Sequence, residues 1–355
     1  MNTERVLMKG NDAIAEGAIR AGCTAYFGYP ITPQNELIAY MAKNMLDRGR
    51  IFIQAESEVA AINMVFGASS AGARAMTSSS SPGVSLKQEG ISYAAGADIP
   101  CVIANVSRGG PGLGSIAPAQ GDYFQATRGG GHGDYYTIVL APKSVQECAD
   151  FAYLAFDLAD KYRTPVVVLA DGMIGQMMEG IVLPPEKNLA DLPERPWAVG
   201  HMAGRPARHI TSINLVPNEL EAKVRERYAR YEIVKKDETR FEEIDTAGAD
   251  CVLTGYGTCA RACFGAKKLA DKAGLKVGLF RPITLWPFPY EALQKVGERG
   301  KPILTVEMSM GQMVEDVRLS VYDRAPVHFL GHVGGNIPTE EEIFGEVKKI
   351  LGLTT

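Results

Sequence analysis

The sequence predicts an α/β protein built on parallel sheets, with a larger unit followed by a smaller one. Three observations predict it. Apolar runs of buried-strand length, such as Cys101-Val102-Ile103-Ala104-Asn105-Val106 and Pro165-Val166-Val167-Val168-Leu169-Ala170, alternate with longer helical stretches. The alternation degrades from about Glu179, where Pro184, Pro185, Pro193, Pro196 and Pro206 gather, and resumes at Cys251. A chain of 355 residues with 46% hydrophobic content is long enough for two domains and a connector. The expected boundaries are 1–183 for the first domain, 184–248 for the connector and 249–355 for the second domain.

Taken in order, residues 10–20 read as an Ala-rich helix ended by Gly22, and residues 24–28 as the next strand. Residues 51–54 form a strand that runs into a small-residue helix after Ser57, followed by a strand over 74–78. The strand at 101–106 is followed by one at 136–141, a helix over about 145–160 and the strand at 165–170. Within the connector, residues 218–236 read as a charged helix packed by one side and solvated on the other. The second unit starts at Cys251-Val252-Leu253-Thr254-Gly255-Tyr256-Gly257 and continues through strands at 275–280 and 302–306.

A formal net charge of −4 gives no reason to expect nucleic acid or an anionic membrane as partner. No apolar run approaches the roughly 18 residues of a membrane span, and the N-terminus lacks a signal-peptide core, so a cytoplasmic location is expected. The six cysteines contain no Cys-x-x-Cys pair, so the chain is expected to carry no iron–sulfur cluster. Cys259 and Cys263 lie four apart without a further Cys or His pair nearby, and we read them as small hydrophobes, not as a metal site.

In an open α/β sheet, ligands bind where strands end and helices begin. Four such loops are dense in Gly, Pro, Ser and Thr. Gly28-Tyr29-Pro30-Ile31-Thr32-Pro33 offers Thr32 either as a hydroxyl donor or as an N-cap with Pro33 at the first helical position. Glu56 and Glu58 open an almost uncharged helix, where a carboxylate is either a dipole partner or an acid/base group. Thr77-Ser78-Ser79-Ser80-Ser81-Pro82-Gly83 supplies hydroxyls and backbone N–H groups. Arg108, followed by a run of glycines through Gly114, suits a guanidinium fork for a substrate carboxylate. A later glycine run carries His132, which reads as a structural hydrogen-bonder. The set holds a carboxylate, hydroxyls and an arginine, with no metal ligands and no nucleophile–base pair. That composition suits a site whose reactive atom belongs to a cofactor.

At these residues the chain resembles the α subunit of the 2-oxoacid:ferredoxin oxidoreductases, over nearly its whole length. The matching motifs are residues 9–17, Tyr29-Pro30-Ile31-Thr32-Pro33, Glu56-Ser57-Glu58, and the segments 77–83, 108–114 and 129–136. In the second unit, residues 280–289 and 306–312 match the family's transketolase C-terminal-like part. The resemblance implies a thiamine diphosphate pyrimidine-binding domain followed by that smaller α/β domain. It implies conversion of a 2-oxoacid to an acyl-CoA and CO2, with ferredoxin as electron acceptor. Coenzyme A enters as cosubstrate.

Residue by residue, Glu58 matches the carboxylate that hydrogen-bonds the aminopyrimidine ring and so promotes removal of the thiazolium proton. Tyr29, Pro30, Ser80 and Ser81 join it as cofactor-binding positions. Thr32 and Arg108 match the substrate positions. Ala170-Asp171-Gly172 looks like the opening of a magnesium–diphosphate motif, but its closing Asn is missing. The diphosphate and Mg2+ are therefore expected on a β subunit, with 4Fe-4S clusters also on partner subunits. A γ subunit and a ferredoxin-like δ subunit complete the implied complex, and this chain is expected to be inactive alone. The loops at 78–82 and 108–114 look most like the 2-oxoisovalerate type. A 2-oxoglutarate type would need a second cation, for which Arg128 or Lys87 are the candidates. A split-subunit, non-oxidative thiamine decarboxylase or carboligase is the alternative from another class.

Overall fold

The computed structural model describes residues 4–199, 204 and 206–353, so residues 1–3 of the N-terminal reading and parts of the connector reading lie outside the described residues. The chain opens with β1 (Val6–Lys9), α1 (Gly10–Arg20), β2 (Ala25–Gly28), α2 (Asn35–Asp47) and β3 (Ile51–Gln54). It continues with α3 (Glu58–Ser70), β4 (Ala75–Ser79), α4 (Ser81–Gly96) and β5 (Cys101–Ser107). After a long loop come α5 (Tyr123–Thr127), β6 (Ile138–Leu140), α6 (Val145–Tyr162), β7 (Pro165–Asp171), α7 (Gly172–Gln176) and β8 (Met178–Ile181). Then follow α8 (Pro217–Glu238), β9 (Phe241–Ile244), β10 (Cys251–Thr254), α9 (Gly257–Lys272) and β11 (Val277–Pro282). The chain ends through β12 (Thr284–Trp286), α10 (Tyr290–Gly297), β13 (Ile303–Glu307), α11 (Met313–Val321), β14 (Val327–Gly331) and α12 (Glu340–Ile350).

Seven strands form the large sheet in the order β12-β6-β7-β5-β4-β2-β3. All its neighbours pair in parallel except β12 with β6. Its central strands β5 and β7 are buried along their whole length, as a parallel sheet covered on both faces requires. The second sheet runs β14-β13-β10-β11-β9, with β9 antiparallel to β11. β1 and β8 form a separate antiparallel pair.

Two segments cross the expected domain boundaries. β9 leaves the connector to join the second sheet. β12 returns from the second unit to the large sheet, setting Thr284 opposite Leu140 and Trp286 opposite Val139. Trp286 stacks on Tyr136 at 4.8 Å between ring centroids. Tyr231 of α8 packs edge-on against both rings, and its hydroxyl meets the backbone of Tyr136 at 3.1 and 3.2 Å. The charged helix is thus seated on the large sheet's edge by Arg227, Tyr231, Val234 and Glu238, its buried residues.

The carboxyl ends of β4 and β5 face the β13–α11 turn, and this juxtaposition builds the site. Gln120 clamps it: its side-chain amide donates to the Tyr256 carbonyl at 2.8 Å and accepts from Met308 N at 3.0 Å. Glu307, fully buried, accepts from Gln312 N, Met313 N and Val314 N at 2.9–3.1 Å and so holds the turn over residues 308–312.

Candidate active site

Glu58 is the first residue of α3, whose N-terminus Ser57 caps by accepting from Ala60 N at 3.2 Å. The side chain is buried at 6% exposure, and the helix N-terminus favours its negative charge. The carboxylate lies against Gly83 of α4. A Cβ built on Gly83 would overlap the Ser79 hydroxyl and come within 2.7 Å of Glu58 Oε1, so this crossing requires glycine. One turn along α4, the fully buried Lys87 ammonium donates to the Glu58 carbonyl at 3.3 Å. Burial pushes this ammonium down to about 8, while the Glu58 charge works against that shift.

The hydroxyls at the end of β4 divide into two kinds. Ser79 and Ser80 are fully buried, and neither Oγ has a hydrogen-bond partner among the described residues. An unmatched buried hydroxyl is costly, so these two are available to a water or to a bound group's polar atom. Ser80 occupies the N-cap position of α4 without its side chain capping the helix. Ser81 instead is consumed by structure. Its hydroxyl donates to Asp122 Oδ2 at 2.6 Å and accepts from Arg108 N at 2.9 Å, while Asn105 Nδ2 donates to the same Asp122 oxygen at 2.9 Å.

Arg108 is 6% exposed at the end of β5. Its Nη1 donates to the Thr32 carbonyl at 2.8 Å and to the Thr32 hydroxyl at 3.3 Å, and its Nη2 donates to the Leu113 carbonyl at 3.1 Å. The buried Nε has no partner among the described residues. Thr32 is not the helix cap: α2 begins at Asn35 with Gln34 at the N-cap position, because Thr32 is turned toward Arg108. Tyr29 and Pro30 are exposed at the carboxyl end of β2.

Arg108 borders a cleft of about 470 Å³, a volume suited to a small organic ligand. Ser81, Arg108, Gly109 and Asp122 form one wall, and Met308 and Met310 of the β13–α11 turn face them. Arg108 is the one cation among the described residues that line it. Glu58 does not line this cleft. The predicted residues therefore form two clusters, Glu58 with Ser79 and Gly83, and Arg108 with Thr32 and Ser81, joined through the N-terminus of α4.

The second-cation candidates are engaged elsewhere. Lys87 is turned to Glu58, and Arg128 pairs with the buried Asp316 at 2.7 Å. His132 is exposed and outside the cleft. Asp171 ties the two units together: Oδ1 accepts from the Thr258 hydroxyl at 2.6 Å and Oδ2 from Thr258 N at 2.9 Å. Gly257, at φ +53°, makes that approach possible, since a Cβ there would sit 2.6 Å from Asp171 Oδ2. Sequence reasoning missed Asn105, Gln120 and Asp122. It weighed Lys87 only as a substrate cation, although Gly83, Lys87 and Gly90 fall on one helical face.

Comparison with known proteins identifies the family of the chain as a whole. The family model "Pyruvate flavodoxin/ferredoxin oxidoreductase, thiamine diP-bdg" matches residues 16–243, and pyruvate:ferredoxin oxidoreductase core domain II matches residues 249–343. Ketoisovalerate oxidoreductase subunit VorB of Methanothermobacter marburgensis is 47% identical, over 98% of both chains. The 2-oxoglutarate synthase subunit KorA of Archaeoglobus fulgidus is 40% identical over 88% of this chain and 91% of its own. The solved 2-oxoglutarate:ferredoxin oxidoreductase from Magnetococcus marinus, with 2-oxoglutarate, coenzyme A and succinyl-CoA bound, superposes with a TM-score of 0.87 at 29% identity. It covers 98% of this chain, which spans 65% of that longer one. A split-gene transketolase shares the fold alone, with a TM-score of 0.61 at 14% identity. A thiamine-binding match over residues 16–243, a second-domain match after it and a full-length relative at 47% identity converge on one conclusion: the chain belongs to the pyruvate flavodoxin/ferredoxin oxidoreductase family and is an oxidoreductase subunit.

Proposed function

We propose that this chain is the α subunit of a heteromeric enzyme that oxidatively decarboxylates 2-oxoisovalerate to its acyl-CoA and CO2, with ferredoxin as electron acceptor. The observation that carries the substrate choice is the cleft with one cation. Arg108 matches the single carboxylate of 2-oxoisovalerate, and Met308, Met310 and Val333 suit its branched apolar tail. A distal carboxylate would find no second cation on this chain's cleft wall among the described residues.

Thiamine diphosphate fits the other cluster. Glu58 would hold a proton at the pyrimidine ring, the unpaired Ser79 hydroxyl lies beside it, and the unpaired Ser80 hydroxyl sits at the N-cap position of α4. When bound, the cofactor supplies the nucleophilic carbon that attacks the 2-oxo group. Arg108, held by Thr32, orients the substrate carboxylate, with Thr32 beside it. Tyr29 and Pro30 at the end of β2 and Ser81 at the start of α4 border the same region in this reading. The β subunit provides the diphosphate and Mg2+ half-site, and a ferredoxin-like δ subunit with 4Fe-4S clusters and a γ subunit complete the complex. We assign residues 1–183 to the pyrimidine-binding domain, 184–248 to the connector and 249–355 to the transketolase C-terminal-like domain, with β9 and β12 each crossing a boundary to the other unit's sheet. Among the described residues no helix is long and apolar enough to cross a membrane. We place the complex in the cytoplasm.

The test is made on the co-purified complex with thiamine diphosphate, coenzyme A and methyl viologen. 2-Oxoisovalerate, 2-oxoglutarate, pyruvate and an aryl pyruvate are compared. Preference for 2-oxoisovalerate is expected. Preference for 2-oxoglutarate overturns the substrate choice, and CO2 release without viologen reduction overturns the oxidative reading.

A further inference from the structure

Lys87 is fully buried, yet it forms no ion pair among the described residues. The contrast with Lys267 is direct: that nearly buried ammonium is paired with Asp245 at 2.9 Å and Asp271 at 3.0 Å. Lys87 has the Glu58 carbonyl at 3.3 Å. Burying an ammonium with so few acceptors is unfavourable, and a methionine would fill the same space without that cost.

The local packing keeps the lysine where it is. Gly83 and Gly90 flank Lys87 on one face of α4, four residues before it and three after. The Glu58 carboxylate occupies the space at Gly83, and the Ile62 side chain that at Gly90, where a Cβ would sit 2.5 Å from Ile62 Cγ2. The two helices therefore meet closely, with the ammonium trapped between them beneath the first turn of α3. Glu58 is the charged group that bears on Lys87; β5 and β7, the strands packed against α4, add no charge to its titration.

We propose that Lys87 is the positioning residue for Glu58: its buried ammonium fixes the first turn of α3 through the Glu58 carbonyl and so sets where the adjacent carboxylate lies. The inference rests on reading Glu58 as the carboxylate that serves the thiamine ring.

The first test needs no cofactor. Thermal midpoints at pH 7 are measured on the thiamine-free complex for Lys87→Met, Glu58→Gln and the double variant. Glu58→Gln removes the one negative charge that bears on the ammonium and should lower the midpoint by several degrees. Lys87→Met should recover that loss in the Glu58→Gln background and give no comparable gain in the wild type. The second test follows hydrogen–deuterium exchange at the thiazolium C2 of bound thiamine diphosphate. In Lys87→Met the exchange at pH 7 should slow by about tenfold, because the carboxylate is no longer held in place. Lys87→Gln keeps a donor for the Glu58 carbonyl without the charge, and it should retain more of the exchange rate than Lys87→Met. Additive midpoints, or an exchange rate in Lys87→Met equal to the wild type's, overturn the proposal. Failure of the wild-type complex to bind thiamine would instead sink the functional reading, and the midpoint cycle would still report the Lys87–Glu58 coupling.

Discussion

The Arg108 guanidinium donates to the Thr32 carbonyl at 2.8 Å and to the Thr32 hydroxyl at 3.3 Å, joining positions 76 residues apart in the chain. This pair fixes the β2–α2 turn against the end of β5. A second donation, to the Leu113 carbonyl, folds the glycine-rich loop back over the same guanidinium. The arginine that lines the cleft is thus aligned by the loops that border it.

Arg108→Lys keeps the charge but cannot reach Thr32 and Leu113 together. The Michaelis constant for the 2-oxoacid should rise on the order of 10–100-fold, with a smaller fall in kcat. Steady-state kinetics on the assembled complex check this, and an unchanged KM moves the carboxylate contact elsewhere.

Gly83→Ala places a methyl group against the Ser79 hydroxyl and Glu58 Oε1. Relief requires moving the carboxylate or the start of α4, at a cost of about 1–3 kcal/mol. Thiamine diphosphate affinity and turnover should drop at least about tenfold while the complex still assembles. Isothermal titration of the stripped complex gives the answer; full affinity would mean that Glu58 is not at the cofactor.

Asp316 is buried and gathers three donors: the Tyr123 hydroxyl at 2.6 Å, Arg128 Nη2 at 2.7 Å and the Tyr290 hydroxyl. Asp316→Ala leaves the buried Tyr123 hydroxyl without its acceptor and should cost on the order of 3 kcal/mol. Denaturant midpoints measure the loss, and a change near zero would show that water replaces the carboxylate.

Asp171 carries a pH signature. Burial, the largest effect, raises its carboxyl above the ordinary value of 3.8, against the lowering pull of Thr258 and the α7 backbone. A raised carboxyl in the fold means that the native state binds the proton more tightly than the unfolded chain. Its contribution is fully present below pH 3.8 and declines as pH rises through the raised value. Asp171→Asn removes that slope, so stability relative to wild type should improve steadily from acid pH upward through that window. Parallel curves for the two proteins would overturn the assignment.

Much of the fold was legible in the chain. The helix at Gly10–Arg20, the strand at Ile51–Gln54 and the Ser57 cap before Glu58 appear with the boundaries that local pattern implies. Their signals are local: side-chain periodicity, a capping hydroxyl, a glycine after the last turn. β12 was not legible, since three residues carry no periodicity and their partner strand lies more than 140 residues earlier. β1 and β8 are equally short and pair only with each other, from opposite ends of the first unit.

The site divides along the same line. Sequence by itself determined the residue types and their places at strand ends: a carboxylate at an apolar helix start, hydroxyls before α4 and an arginine after β5. It also determined the family, because those motifs recur in one order along nearly the whole chain. Only the tertiary structure decided which of them meet. It took Ser81 into a bond network with Asp122, gave Thr32 to Arg108 rather than to the helix end, and set Asp171 to joining the two units. It also turned Lys87 away from the cleft and beneath Glu58. The reason is physical: propensity and periodicity act over a few neighbouring residues. The partner of a buried charge or hydroxyl is chosen by helix crossings and strand order, which bring distant segments within 3 Å.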